Sequence, residues 1–174
     1  DAVELHRLAQ WLAGRRAESV AVCLLHAYAN PAHERLVVEA LARKYHFHPL
    51  AVEDVLHVPQ RPKCEAYPAQ GEFQARLFVV ARVLGLADGR LQEEQVSVFV
   101  GHATVVTFRE RSGDDLWAPV RHRLTAAASR IRQHDASYLV YTLLDSIVDR
   151  WFPLLEELGD RLEQLEDEVL ENPT

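Results

Sequence analysis

Two carboxylates stand side by side at Glu53 and Asp54. Adjacent like charges repel unless a cation or a base lies between them. Leu50, Val52, Val55 and Leu56 around them read as the buried side of a short helix. Neighbouring helical residues point about 100° apart, so the pair alone cannot enclose an ion. A hard divalent cation such as Mg²⁺ or Ca²⁺ takes about six oxygen ligands or more. The others would come from another segment or another subunit, and an exposed acidic helix edge is the alternative reading. Nine histidines offer a second chemistry. The closest cluster is His46-Phe47-His48, with His57 a few residues on. A zinc site wants about four nitrogen or sulfur ligands at fixed spacing. With no His-Glu-x-x-His pattern and no cysteine cluster, these histidines read as solvated or capping. Cys23 and Cys64 stand apart from each other and from any Cys-x-x-Cys pattern. Both are expected to be free, buried thiols of a reducing compartment. No serine elbow, glycine-rich phosphate loop or Walker pattern occurs, so the chain is read as a non-enzyme.

Charge narrows the partners. The net charge is −7, and residues 150–174 hold eight acids against two bases, so that segment carries −6 of it. The body is nearly neutral, which excludes the basic face that nucleic acid requires. An acidic helix instead suits a cationic partner, either a basic protein surface or metal ions. The chain begins at Asp1 and contains no Met, so it is expected to be a piece of a longer protein. It shows no signal peptide and no run of about 18 apolar residues, so any membrane-spanning part is expected to lie outside it.

The elements that must position these residues follow from periodicity. Leu5, Leu8 and Leu12 recur at helical spacing and Gly14 closes that segment. Residues 18–25 read as a buried strand. Asn30-Pro31 starts a helix that should end before Pro49, and a short helix is expected from Leu50 to His57. In residues 75–85, Ala75, Leu77, Val79, Ala81 and Val83 fall on one side of a strand and Arg76 and Arg82 on the other. Asp88-Gly89 marks a turn, residues 94–100 alternate again, and residues 103–108 return as a third strand, so this part of the sheet is antiparallel. Ser112-Gly113-Asp114 caps a helix expected over 115–130. From about Asp135 a long helix is expected to reach Glu171. Tyr141, Leu144, Val148, Trp151, Leu155, Leu158, Leu162, Leu165 and Val169 step along it by alternating threes and fours, which is a heptad seam. Pro153 should kink that helix near Arg150 or start a new one there, and Asn172-Pro173 ends it. The chain length suits one domain with a real core. The layout is α/β with a mixed, partly antiparallel sheet over 1–133 and an acidic helical arm over 134–174.

The stretch HPLAVEDVLHVPQRPKCEAY, residues 48–67, resembles the CorA family of divalent-cation channels. The family's His-Pro-Leu-(x)₃-Asp segment and its Gln-Arg-Pro-Lys signature are matched by His48, Pro49, Leu50, Glu53, Asp54, Gln60, Arg61, Pro62, Lys63 and Glu65. Residues 93–110, 113–124 and 135–158 are similar to the strand pair, following helix and helical arm of that family, so the resemblance covers most of residues 18–172. It departs in a PAQGEFQA-like insertion after Glu65, in Pro153, and in Arg150 where an acid is usual.

The resemblance implies a homopentameric channel whose N-terminal domain, at the cytoplasmic face of the membrane, is an α/β/α sandwich leading into long helices. It implies two C-terminal membrane helices with a Gly-Met-Asn motif, outside this chain. Mg²⁺ bound between cytoplasmic domains would hold the closed state, with Co²⁺ or Zn²⁺ as alternative ions. By position, Glu53 and Asp54 match metal ligands between subunits, Asp145 matches a further acid near that interface, and Asp149 is a weaker candidate. Two other readings stay open: the family's zinc-transporting branch, and a soluble coiled-coil interaction module with no ion dependence.

Overall fold

Residues 77–81 are apolar on both faces of their strand, and a strand buried on both sides needs a layer of structure above and below it. A computed structural model describes residues 7, 19–22, 31–87, 89–110, 115–126 and 128–171. Its elements run β1 (Ser19–Val22), α1 (Pro31–Tyr45), α2 (Pro49–Leu56), β2 (Lys63–Tyr67), β3 (Arg76–Ala87), β4 (Arg90–Val100), β5 (Val105–Arg109), α3 (Ala118–Thr125), a 3₁₀ turn (Arg130–Gln133), α4 (Ala136–Asp149) and α5 (Trp151–Glu171). The strands form one sheet in the order β1-β5-β4-β3-β2. β1 is parallel to β5, and every other pair is antiparallel. The sheet is therefore mixed, as expected.

Its two faces make two cores. Val79, Val83, Val96, Val98 and Val105 pack against Leu116, Trp117 and Val120 beside α3, and against Leu139, Val140, Leu143 and Ile147 of α4. Phe78, Val80, Phe99, Val106 and Phe108 pack against Val37, Val38 and Leu41 of α1 and Ala51 and Val55 of α2. Helices cover both faces, so the body is an α/β/α sandwich. Alternation along β3 correctly separates Val79 and Val83 from Arg76, but Phe78 and Val80 share the Arg76 side and are equally buried.

Local stops have local causes. α1 ends where His46 takes a positive φ of 52°, and Phe47 N–H then donates back to Ala42 O at 3.0 Å. That is a Schellman-type stop. The guanidinium of Arg76 covers the same helix end, with Nη2 donating to Tyr45 O at 3.0 Å. The segment read as an insertion is the tip of the β2–β3 hairpin. Gln70 and Phe73 exchange two backbone hydrogen bonds of 3.0 Å around Gly71, whose φ is +59°, the pattern of a two-residue turn with Gly in first place.

Several expectations are corrected. Cys64 is exposed rather than buried, because β2 is the edge strand of the sheet. The helix expected over 115–130 is only Ala118–Thr125, followed by the 3₁₀ turn. The long helix begins at an Asp135 cap, whose carboxylate accepts from Ser137 N and Tyr138 N. It divides at Arg150, and Pro153 sits in the first turn of α5, where a missing N–H costs nothing. α4 contributes to the body's core, so the free arm is α5, in which Leu154 is the buried residue. The expected helix at Leu5–Leu12, Cys23 and the caps at Asn30 and Ser112–Asp114 lie outside the described residues, as does the terminal Asn172-Pro173.

Candidate functional site

The row Lys63, Glu65, Tyr67 lies on one side of β2, because alternate strand residues share a face. Register pairs them with Val80, Phe78 and Arg76, which puts them on the side covered by α2. The helix is fastened to this row at both ends. At its start, the His48 ring stacks on Tyr67 with centroids 4.5 Å apart, while its Nδ1 accepts from Leu50 N at 3.3 Å as the helix cap. Towards its end, Lys63 Nζ donates to Asp54 Oδ2 at 2.7 Å.

The contacts continue along the strand. Lys63 Nζ also lies 3.2 Å from Glu65 Oε1, and Tyr67 hydroxyl donates to Glu65 Oε2 at 2.6 Å. The chain of groups is thus Asp54, Lys63, Glu65, Tyr67. The Asp54 carboxylate holds the Lys63 ammonium above its ordinary pKa. The Tyr67 hydroxyl, and then Lys63, hold Glu65 below the usual carboxylate range. Burial, and then the neighbouring Glu65, push the Tyr67 hydroxyl up, so it stays a donor.

The main chain here is pinned by Gln95 of β4. Its Nε2 donates to Asp54 O at 3.2 Å and to Ser97 Oγ at 3.2 Å, and its Oε1 accepts from Gln60 N at 2.7 Å. Gln60 in turn donates to His57 O at 2.7 Å. The Gln60-Arg61-Pro62-Lys63 stretch therefore supplies an anchor to the sheet at one end and a counter-charge for Asp54 at the other. Sequence reasoning named these residues but not this pairing. The period-two spacing of Lys63, Glu65 and Tyr67 was the available signal.

The four predicted acids do not converge. Glu53 is exposed, and its carboxylate has no partner among the described residues. Asp54 is half-buried and shared with Lys63. Asp145 is half-buried on α4, and Asp149 is exposed at its last residue. Because α2 packs on one face of the sheet and α4 on the other, the sheet stands between the two pairs. Among the described residues no group of three or more His, Cys, Asp or Glu could hold a metal. The histidines act as a helix stop (His46), a helix cap (His48) and, with Nδ1 3.0 Å from Glu53 O, a contact at the end of α2 (His57). The donor set at Glu53-Asp54 is all oxygen, which suits Mg²⁺ better than Zn²⁺, and it is short of a full shell within one chain.

Comparison with known proteins bears on the family and the fold. The family description "CorA-like Mg2+ transporter protein" matches residues 26–174. A second, the N-terminal region of hydantoinase/oxoprolinase, matches residues 1–45 alone. The cobalt/magnesium transport protein CorA of Thermotoga maritima is 38% identical over 143 residues, 81% of this chain and 39% of its own length. The putative metal ion transporter YfjQ of Bacillus subtilis is 34% identical over 123 residues, 71% of this chain and 35% of its own length. The chain thus spans under two fifths of these relatives. Among solved structures, full-length CmaX has a TM-score of 0.62 at 24% identity, over 79% of this chain and 41% of that one. The soluble domain of CorA from Methanocaldococcus jannaschii has a TM-score of 0.59 at 15% identity, over 78% and 51%. These two show the same fold. No helix among the described residues is long and apolar enough to cross a membrane. The chain belongs to the CorA-like Mg²⁺ transporter protein family.

Proposed function

We propose that this chain is the cytoplasmic regulatory domain of a homopentameric CorA-type channel for Mg²⁺ or Co²⁺, sensing intracellular Mg²⁺ between subunits. The observation that carries the reading is the exposed Glu53, unpartnered among the described residues, beside Asp54 and on the opposite face of the sheet from Asp145 and Asp149. Ligands that one chain cannot bring together suit an ion shared between copies, with Glu53 and Asp54 on one side of the interface. Asp145 and, more weakly, Asp149 are the candidates near it, and water completes the shell. An ion that binds one arrangement of subunits better shifts the population towards it, and carboxylates left facing each other repel when it leaves. The remainder of the longer protein would supply the membrane helices and pore.

The test is thermal unfolding of the full-length protein against MgCl₂. Wild type should gain several degrees, and Glu53→Ala/Asp54→Ala should lose that gain, as mass action requires when a ligand binds only the native state. Absence of any Mg²⁺ response in wild type would remove the sensing role and favour an assembly module without ion dependence. Transport assayed ion by ion separates the Mg²⁺/Co²⁺ reading from the zinc-transporting branch.

A further inference from the structure

Resting on that reading of Glu53 and Asp54, we propose that Lys63 is a tethered counter-ion that competes with the divalent cation for Asp54 and so sets the cation concentration at which the interface responds. Asp54 does not wait as a bare carboxylate: Lys63 Nζ holds its Oδ2 at 2.7 Å. The two side chains are 17% and 27% exposed, so their attraction is screened less than that of a pair on the open surface. A cation arriving at Asp54 must therefore displace the ammonium or share the carboxylate with it.

The structure also provides a place for the displaced charge. Glu65 Oε1 is already 3.2 Å from Nζ, and the Tyr67 hydroxyl fixes the other Glu65 oxygen at 2.6 Å. Lys63 can give up Asp54 without leaving its ammonium unpaired, by moving wholly onto Glu65. A lysine suits this role because its charge is a compact point with three rotatable donors on a flexible stem. Asp54 itself is held where it is by the helix and by Gln95 on its carbonyl oxygen, so it cannot follow the lysine. The exchange is thus between two acceptors, Asp54 on α2 and Glu65 on the strand behind it.

Calorimetric titration of the full-length protein with MgCl₂ tests this. Lys63→Gln should tighten Mg²⁺ binding about five- to tenfold, the size expected for removing a partly buried ion pair. Glu65→Gln should act in the opposite sense, weakening binding a few-fold, because Lys63 then has only Asp54. Lys63→Arg should bind as wild type or more weakly. Arg61→Gln, which removes an exposed charge two residues away, should change binding less than twofold. Equal tightening by Lys63→Gln and Arg61→Gln would reduce the effect to the general field and overturn the competition. Unchanged affinity in Lys63→Gln, with binding abolished by Asp54→Asn, overturns the competition and leaves the metal reading standing. Absence of Asp54-dependent Mg²⁺ binding in every variant overturns both. Should Lys63→Gln fail to fold, unchanged or tighter binding in Glu65→Gln is the overturning result.

Discussion

The guanidinium of Arg76 is 8% exposed and meets no carboxylate at ion-pair distance among the described residues. It donates to Tyr45 O and, at 3.1 Å, to Gln74 Oε1, and its carbon stands 5.6 Å from the centre of the Phe47 ring. Burial lowers its pKa, yet an arginine stays charged, so its counter-charge is the negative end of α1 and the π face beneath it. Room for it comes from Gly101 on the neighbouring strand end, where a Cβ would occupy the position of Arg76 Nη1. Gly101→Ala should therefore expel the guanidinium and uncap α1, with a loss of about 1–3 kcal/mol in urea unfolding. An unchanged midpoint would show that Arg76 relaxes without cost. Alternation placed Arg76 opposite Leu77 and Val79 correctly. Its burial was not legible, because it depends on α1 folding over that end of the sheet. The pairing of Lys63 with Asp54 was hidden for the same reason: nine residues and a helix-to-strand change separate them.

At the scale of elements, β2 carries its chemistry as a row, and the row has a definite pH dependence. Glu65 has a depressed pKa, so its contribution is present above its ordinary 4.5 and lost as pH falls through the folded value. Lys63 has a raised pKa, so its contribution is full below its ordinary 10.5 and lost as pH rises past the folded value. In chelator, the difference in urea midpoint between wild type and Glu65→Gln should be flat between about pH 6 and 9 and shrink towards pH 4. A change within the neutral range would show that the row answers to a group other than Glu65 and Lys63. The helix break was the most legible feature of all: Pro153 announced it, and α5 starts two residues before it. The length of α3 was misread, because apolar residues at 116–131 belong to three short pieces rather than one helix.

On the scale of the whole molecule, hydrophobic patterning sufficed for a mixed sheet and an arm, since strands and helices differ in period. The sandwich itself rested on the resemblance, because apolar residues on both strand faces can be read as a strong single face. What remains unsatisfied within one chain is the seam of α5. Leu155, Leu158, Leu162, Leu165 and Val169 are between 43% and 67% exposed, on a helix otherwise rich in acids. Leu158→Gln/Leu162→Gln should leave the unfolding midpoint of the body within about 0.5 kcal/mol, since neither side chain is buried, and should reduce the assembled mass seen by light scattering. Retained assembly would show that the seam is not an interface.

α5 is also a lever. Its 21 residues, at about 1.5 Å each, make a rod of roughly 31 Å. It is fastened along its first half, where Leu154 is buried and Arg161 Nη2 comes within 3.4 Å of the Cβ position of Gly89 at the β3–β4 turn. A tilt of about 10° at Arg150 carries the far end through roughly 5 Å, close to one helical pitch. The side chains of the seam recur at that same interval, so such a tilt displaces the tip by about one repeat of the seam.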